Sequence, residues 1–229
     1  MGYIVIMSEL YEALRSELRG LDGDLYLSHL FVPAINRDRI LTLYRAYADI
    51  ARIGNNVSES MIGQIRFQWW RDLLAQIEAG NSAQTPIGEA IAAQKLNHDL
   101  LRAIIDGFEL GMIEPESAQK AAAMSGRALI TAALEICSLT ADMALIEAAG
   151  AGFELLRQSQ NDTQIEAAYA HLKKAARAFN GLKRKTRLAL IPVLMPVGLA
   201  HKQAQNNPRQ RSLFYYQIQL LKMSVIAKI

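Results

Sequence analysis

The sequence predicts an all-α fold in one domain, and three observations carry that expectation. Apolar residues recur at three- and four-residue spacing along most of the chain. Alanine is abundant, as suits closely packed helices, while β-branched runs are short and never alternate cleanly between apolar and polar. Polar, Gly- or Pro-containing breaks fall at helix-sized intervals, and none is long enough for an interdomain linker. With 51% apolar residues in 229, the chain can bury a sizeable core, and 21% charged residues with a net charge of +3 exclude a disordered polymer.

The elements follow in order. Residues 1–7 read as an extension or a mis-assigned start, with the domain at 8–229 beginning on a helix for which Ser8 is the N-cap. Asn36 caps a helix whose stripe is Ile40, Leu43, Tyr44, Tyr47, Ile50 and Ala51. Ser58 caps the next, with Met61, Ile62, Ile65, Trp69, Leu73, Leu74 and Ile77 on one stripe and Gly80 as its stop. After the break at 81–86, Pro86 opens a helix over 86–95, and another fits 98–111. Pro115 opens an Ala-rich stretch to about Leu139, followed by a helix at 141–158 and a polar turn at Ser159–Thr163. Helices at 163–180 and 182–204, the second kinked at Pro192 and Pro196, precede a last amphipathic helix at 209–228.

The small net charge hides an asymmetry. No Asp or Glu follows Glu166, so residues 167–229 carry twelve basic residues and no acid, whereas the first 166 carry −9. Such a basic tail, with Lys183, Arg184, Lys185 and Arg187 at its densest, points to an anionic partner. No nucleic-acid module or interleaved aromatics accompany it, so an anionic membrane surface is the partner expected, and nucleic acid is not. The longest apolar stretch, Leu188–Ala200, has thirteen residues and two prolines, short of the ~20 a membrane span needs. The opening MGYIVI lacks the basic region and cleavage site of a signal peptide. A cytoplasmic location, peripheral on the inner membrane, is the expectation.

Few residues suggest chemistry directly. The four histidines are scattered without ligand spacing, and Cys137 reads as a small buried hydrophobe in a helix. Carboxylates three or four apart share a helix face and can hold Mg²⁺ together with substrate phosphates. Asp106 and Glu109, set among apolar neighbours, are the tidiest such pair, and a solvated face explains them as well. The block Arg66-Phe67-Gln68-Trp69-Trp70-Arg71 holds both tryptophans of the chain. Adjacent helix positions differ by about 100°, so one tryptophan enters the core while the other borders a groove. Arg66 and Trp70, four apart, are placed to stack.

The stretch DLYLSHLFVPAINRDRILTLYRAYADIARIGNNVSE (24–59), then MIGQIRFQWWRDLL (61–74) and PIGEAI (86–91), resembles the squalene/phytoene synthase family. The resemblance is clear over about 22–111 and fainter to about 200. It implies a single-domain, isoprenoid-synthase-type helical bundle around a central cavity, in which two Asp-rich motifs bind Mg²⁺ and prenyl diphosphates. Here the first motif's opening pair falls on Ala51-Arg52, its last Asp on Asn55 and its preceding Arg on Ala48, and the second falls on Gln158-Ser159-Gln160-Asn161-Asp162. Neutral side chains cannot replace carboxylates at Mg²⁺, and Arg52 would repel it while contacting phosphate well.

The pattern resembles a divergent branch of the family that includes a mitochondrial complex I assembly factor and also lacks the aspartates. What this implies is a catalytically degenerate, membrane-associated protein without cofactor, binding an assembly partner among membrane proteins or an isoprenoid. Tyr44, Arg45, Arg52, Arg66, Trp70 and Arg71 are its candidate ligand contacts. The alternative is an active prenyltransferase condensing prenyl diphosphates with Mg²⁺, for which Asp49, Asp106 and Glu109 are the available ligands.

Overall fold

A computed structural model describes residues 2–55, 60–159 and 162–205. Among them it forms ten α-helices and one 3₁₀ turn, and no strand. The helices are α1 (Gly2–Leu21), α2 (Gly23–His29), α3 (Ala34–Asn55), α4 (Ser60–Glu78), α5 (Pro86–Gln94), α6 (His98–Ile113), α7 (Ala118–Ile136), α8 (Met143–Gln158), α9 (Asp162–Asn180) and α10 (Arg184–Gln205), with the 3₁₀ turn at Pro115–Ser117. The all-α expectation and most of its breaks hold.

The differences lie at helix ends and on α4, where Met61, Ile62, Ile65 and Trp69 of the expected stripe are exposed and the helix instead packs through Gly63, Phe67, Trp70, Leu73 and Leu74. Ser8 caps nothing, because α1 is already helical from Gly2. Asn36 lies inside the first turn of α3, which starts at Ala34 directly after Pro33. A separate helix, α2, is set off by Asp22, whose carboxylate accepts from the Leu25 amide at 3.0 Å. The Ala-rich helix ends at Ile136 and Cys137 is its C-cap, half-buried rather than within the helix. Ser58 and the helix expected at 209–228 lie outside the described residues.

Local chemistry sets the other boundaries. Thr85 accepts from the Gly88 amide at 3.2 Å with Pro86 in the first turn of α5, and Asn97 accepts from the Asp99 and Leu100 amides to start α6. Gly80 stops α4 with φ +75°, where a side chain would be strained.

α3 runs through the middle of the bundle. Its Ile40, Leu41, Leu43, Tyr44, Tyr47 and Ile50 are all buried, and it packs on α1, α2, α4, α5, α6 and α7. α6, α7, α8 and α9 follow one another as a row, each packed on the next. Small residues let this row close up. A Cβ on Gly126 of α7 would come within 2.1 Å of the Gly150 carbonyl oxygen of α8, so the two backbones touch there. A Cβ on Gly107 of α6 would lie 2.7 Å from the Ser125 amide nitrogen of α7. α10 crosses the far side on α2 and α8, with Pro192 and Pro196 inside it.

Candidate functional site

A cleft of about 230 Å³ opens where α3, α6, α8 and α9 meet. One wall is apolar, with Ala51, Phe108, Met112 and Leu155, and the other polar, with Tyr47, Glu154, Arg157 and Gln158. Glu154 is the unexpected member: a carboxylic acid with no exposed surface, on a stretch of α8 otherwise built from Ala, Gly, Leu and Phe. Helical spacing explains its neighbours. Arg157 and Gln158 lie three and four residues on, so all three project from one face.

The group is internally satisfied. The Tyr47 hydroxyl donates to one oxygen of Glu154, and Gln158 Nε2 donates to the other at 2.9 Å. Arg157 donates to Asp22, the residue that caps α2, and its guanidinium carbon lies 5.1 Å from the Phe153 ring centroid and 5.9 Å from that of Tyr47. Burial pushes the Glu154 carboxyl up to about 7, against the opposing pull of its Tyr47 bond and the Arg157 charge. Burial, and then the Glu154 charge, hold the Tyr47 hydroxyl well above its usual range. Burial works against the charge of Arg157, but Tyr47, Asp22 and Glu154 outweigh it and the guanidinium stays protonated. The arrangement can donate and accept hydrogen bonds and, near neutrality, exchange one proton at Glu154.

The six candidate ligand contacts do not share this cleft. Tyr44 is buried in the core, its hydroxyl without a hydrogen-bond partner among the described residues and its pKa raised by burial. Arg45 donates from Nε to Glu17 at 2.9 Å and also pairs with Asp49. Arg52 is exposed in the last turn of α3, one position from the cleft-lining Ala51. Arg66 is exposed. Trp70 is 4% exposed and Trp69 45%, edge to face at 5.3 Å, as the 100° offset requires. The expected Arg66–Trp70 stack is not formed, because Trp70 points inward and Arg66 outward; among the described residues Arg19 and Arg157 make the arginine–ring contacts.

Arg71 is committed to structure. Its Nη2 donates to Asp106 at 2.6 Å and also to Glu109, tying α4 to α6. The tidy carboxylate pair thus already has a cation seated between its members. Asp49 is engaged by Arg45 on its own helix, with burial raising its pKa. Asp49, Asp106 and Glu109 therefore do not converge, and among the described residues no three His, Cys, Asp or Glu side chains are placed to hold a metal ion. The described residues do not fit Mg²⁺. At the cleft, the positions expected for the Asp-rich motifs hold Ala51 and Gln158, which offer it no carboxylate.

The expected basic cluster sits at the turn from α9 into α10. Lys183, Arg184 and Lys185 are exposed and Arg187 is half-buried. Among the described residues, no helix is long and apolar enough to cross a membrane.

Comparison with known proteins fits this geometry. Residues 18–112 match the squalene/phytoene synthase family model. That segment runs from the end of α1 through α6, so it includes Tyr47, Ala51, Phe108 and Met112 of the cleft and omits Glu154, Leu155, Arg157 and Gln158. Human NADH dehydrogenase (ubiquinone) complex I, assembly factor 6, is 29% identical over 96 residues, and the bovine protein 31% over 96. Each match takes in 40% of this chain and only 29% of the relative's length. A crystal structure of a dehydrosqualene synthase in complex with ligand superposes over 96% of both chains, with a TM-score of 0.64 and 13% sequence identity. The fold is thus the isoprenoid-synthase-type bundle.

Proposed function

We propose that this chain is a non-catalytic relative of the squalene/phytoene synthases that assists assembly of a membrane protein complex of the complex I class. The observation that carries the non-catalytic half is the state of its carboxylates. Arg71 occupies Asp106 and Glu109, Arg45 occupies Asp49, and Glu154 faces the cleft as a buried acid bonded to Tyr47 and Gln158. A diphosphate brought there would meet no metal-binding pair to offset its charge. The assembly half is supported by the 29–31% identity of a 96-residue stretch of this chain to human and bovine complex I assembly factor 6. The exposed Lys183, Arg184 and Lys185 supply a surface for anionic membrane, and the apolar wall of the cleft suits a hydrophobic ligand such as an isoprenoid.

Two measurements test this. Purified protein given farnesyl or geranylgeranyl diphosphate with Mg²⁺ is expected to release no more phosphate than a heat-denatured control; Mg²⁺-dependent release would overturn the non-catalytic reading. Deleting the gene in its host is expected to lower NADH:quinone oxidoreductase activity and leave succinate oxidation unchanged. Equal NADH activity with and without the gene would overturn the assembly reading.

A further inference from the structure

The polar wall of the cleft carries no net positive charge. Arg157 is the one Lys or Arg among the lining residues, and it is already paired with the buried carboxylate of Asp22, which does not itself line the cleft. Glu154 makes no ion pair among the described residues and has no exposed surface. The groups that act on it are Tyr47 of α3, Arg157 and Gln158 of its own helix, and Asp22 at the cap of α2. What α6, α7 and α9 bring to the cleft is uncharged: Phe108, Gly111, Met112, Ala118 and Gln164. The hydrogen-bond inventory is equally particular. Tyr47 and Gln158 each spend a donor on the Glu154 carboxylate. Among the described residues, the Gln158 Oε1 acceptor and the Arg157 N–H groups not given to Asp22 are left over.

We propose that the cleft takes an uncharged amphiphile, an alcohol on an apolar chain, and turns away anionic head groups, with Glu154 as the residue that sets this choice. The chain lies along Ala51, Phe108, Met112 and Leu155. The hydroxyl donates to Gln158 Oε1 and accepts from Arg157, so both leftover functions are met by one group. A carbonyl would leave the Gln158 acceptor unmet, and an ammonium would face the Arg157 charge. An anion would compete with Asp22 for Arg157 while standing beside a buried carboxylate, where screening by water is weak. Burial holds the Glu154 carboxyl up to about 7, so its opposition to an anion is strongest above neutrality and relaxes as it takes up a proton. This rests on the cleft being a site for an apolar ligand, as read above, and does not depend on the assembly reading.

Decanol and decyl sulfate test it, since they share one chain and the sulfate keeps the same charge at every pH used. Isothermal titration calorimetry on the full chain, well below and well above pH 7, gives both affinities. Decanol should bind equally at the two pH values. Decyl sulfate should bind at least about tenfold more weakly than decanol at the higher pH, with a smaller gap at the lower. In Glu154→Gln the affinity for the sulfate should no longer change with pH, a readout that a purely structural role for Glu154 would not move. Ala51→Trp, which fills the apolar wall, should abolish decanol binding with an unchanged circular dichroism spectrum, and Gln158→Leu should weaken it severalfold should the tryptophan variant fail to fold. Decyl sulfate bound as tightly as decanol above pH 7, no decanol binding, or a folded Ala51→Trp that binds decanol as wild type does would overturn the proposal. Mg²⁺-dependent release of phosphate from a prenyl diphosphate would overturn the non-catalytic reading as well, whereas a preference for the sulfate without turnover would overturn this proposal alone.

Discussion

Replacing Glu154 with glutamine should make the protein more stable at alkaline pH and leave it unchanged at acid pH. The size follows from its burial. Moving a carboxyl from 4.5 to about 7 corresponds to about 3 kcal/mol, since each tenfold change is worth about 1.4 kcal/mol. Below about pH 4.5 the group is protonated in both the folded and unfolded chain, and ionisation costs the fold nothing. As pH rises towards 7 the unfolded chain gives up this proton while the folded one keeps it, so stability falls. Above 7 the whole ~3 kcal/mol loss is present. Glutamine has the same shape, can accept from Tyr47 and never ionises. Urea unfolding followed by circular dichroism at two pH values, one below 4.5 and one well above 7, measures the effect. The variant should match wild type at the lower pH and exceed it by about 3 kcal/mol at the higher. Parallel stability curves for the two proteins would refute the argument, because they would mean that Glu154 ionises in the fold as readily as in water.

Two further substitutions probe the frame around the cleft. Gly126→Ala should cost about 3 kcal/mol or more, because its methyl would collide with the Gly150 carbonyl, whereas Gly20→Ala, with nothing within 4 Å, should be neutral or stabilising by up to about 1 kcal/mol; thermal melts of both give the comparison. Asp22→Ala removes the cap of α2 and the partner of Arg157 together, and a loss of about 2 kcal/mol in urea titration is expected, moderated because the Arg157 side chain is 29% exposed.

Much of the bundle is legible in the sequence because each helix carries its own signals. Pro86 after a polar break, Gly80 at a helix end and the stripe from Ile40 to Ile50 are local, and local signals need no knowledge of the fold. The errors at Ser8 and Asn36 share a cause: a residue able to cap does so only where the chain before it leaves the helix. The missing metal ligands are legible as well, since Ala51, Arg52 and Gln158 are plain in the chain. The polar wall that stands at the cleft is not. Tyr47 and Glu154 are 107 residues apart, and Asp22 and Arg157 are 135 apart. Only the fold brings them together. A Glu followed by Arg and Gln at three and four residues, inside an Ala- and Gly-rich helix, is the one local hint. Arg71 illustrates the converse: its residue type suits a ligand contact, but only the packing of α4 on α6 reveals that its donors are taken.

The glycine contacts of the helix row have a mechanical consequence. Gly107 packs against the Ser125 backbone, Gly126 against the Gly150 backbone and Gly152 against the Leu172 side chain, so α6, α7, α8 and α9 approach too closely at these points for a Cβ to fit between them. The four helices therefore form a stiff plate, with little compliance along its length. Of the walls of the cleft, α6, α8 and α9 belong to that plate and α3 does not. Breathing that admits a bulky molecule then falls to α3 tilting against the plate, so the moving part is the helix that carries Tyr47 and Ala51, while α4 stays tied to α6 through Arg71.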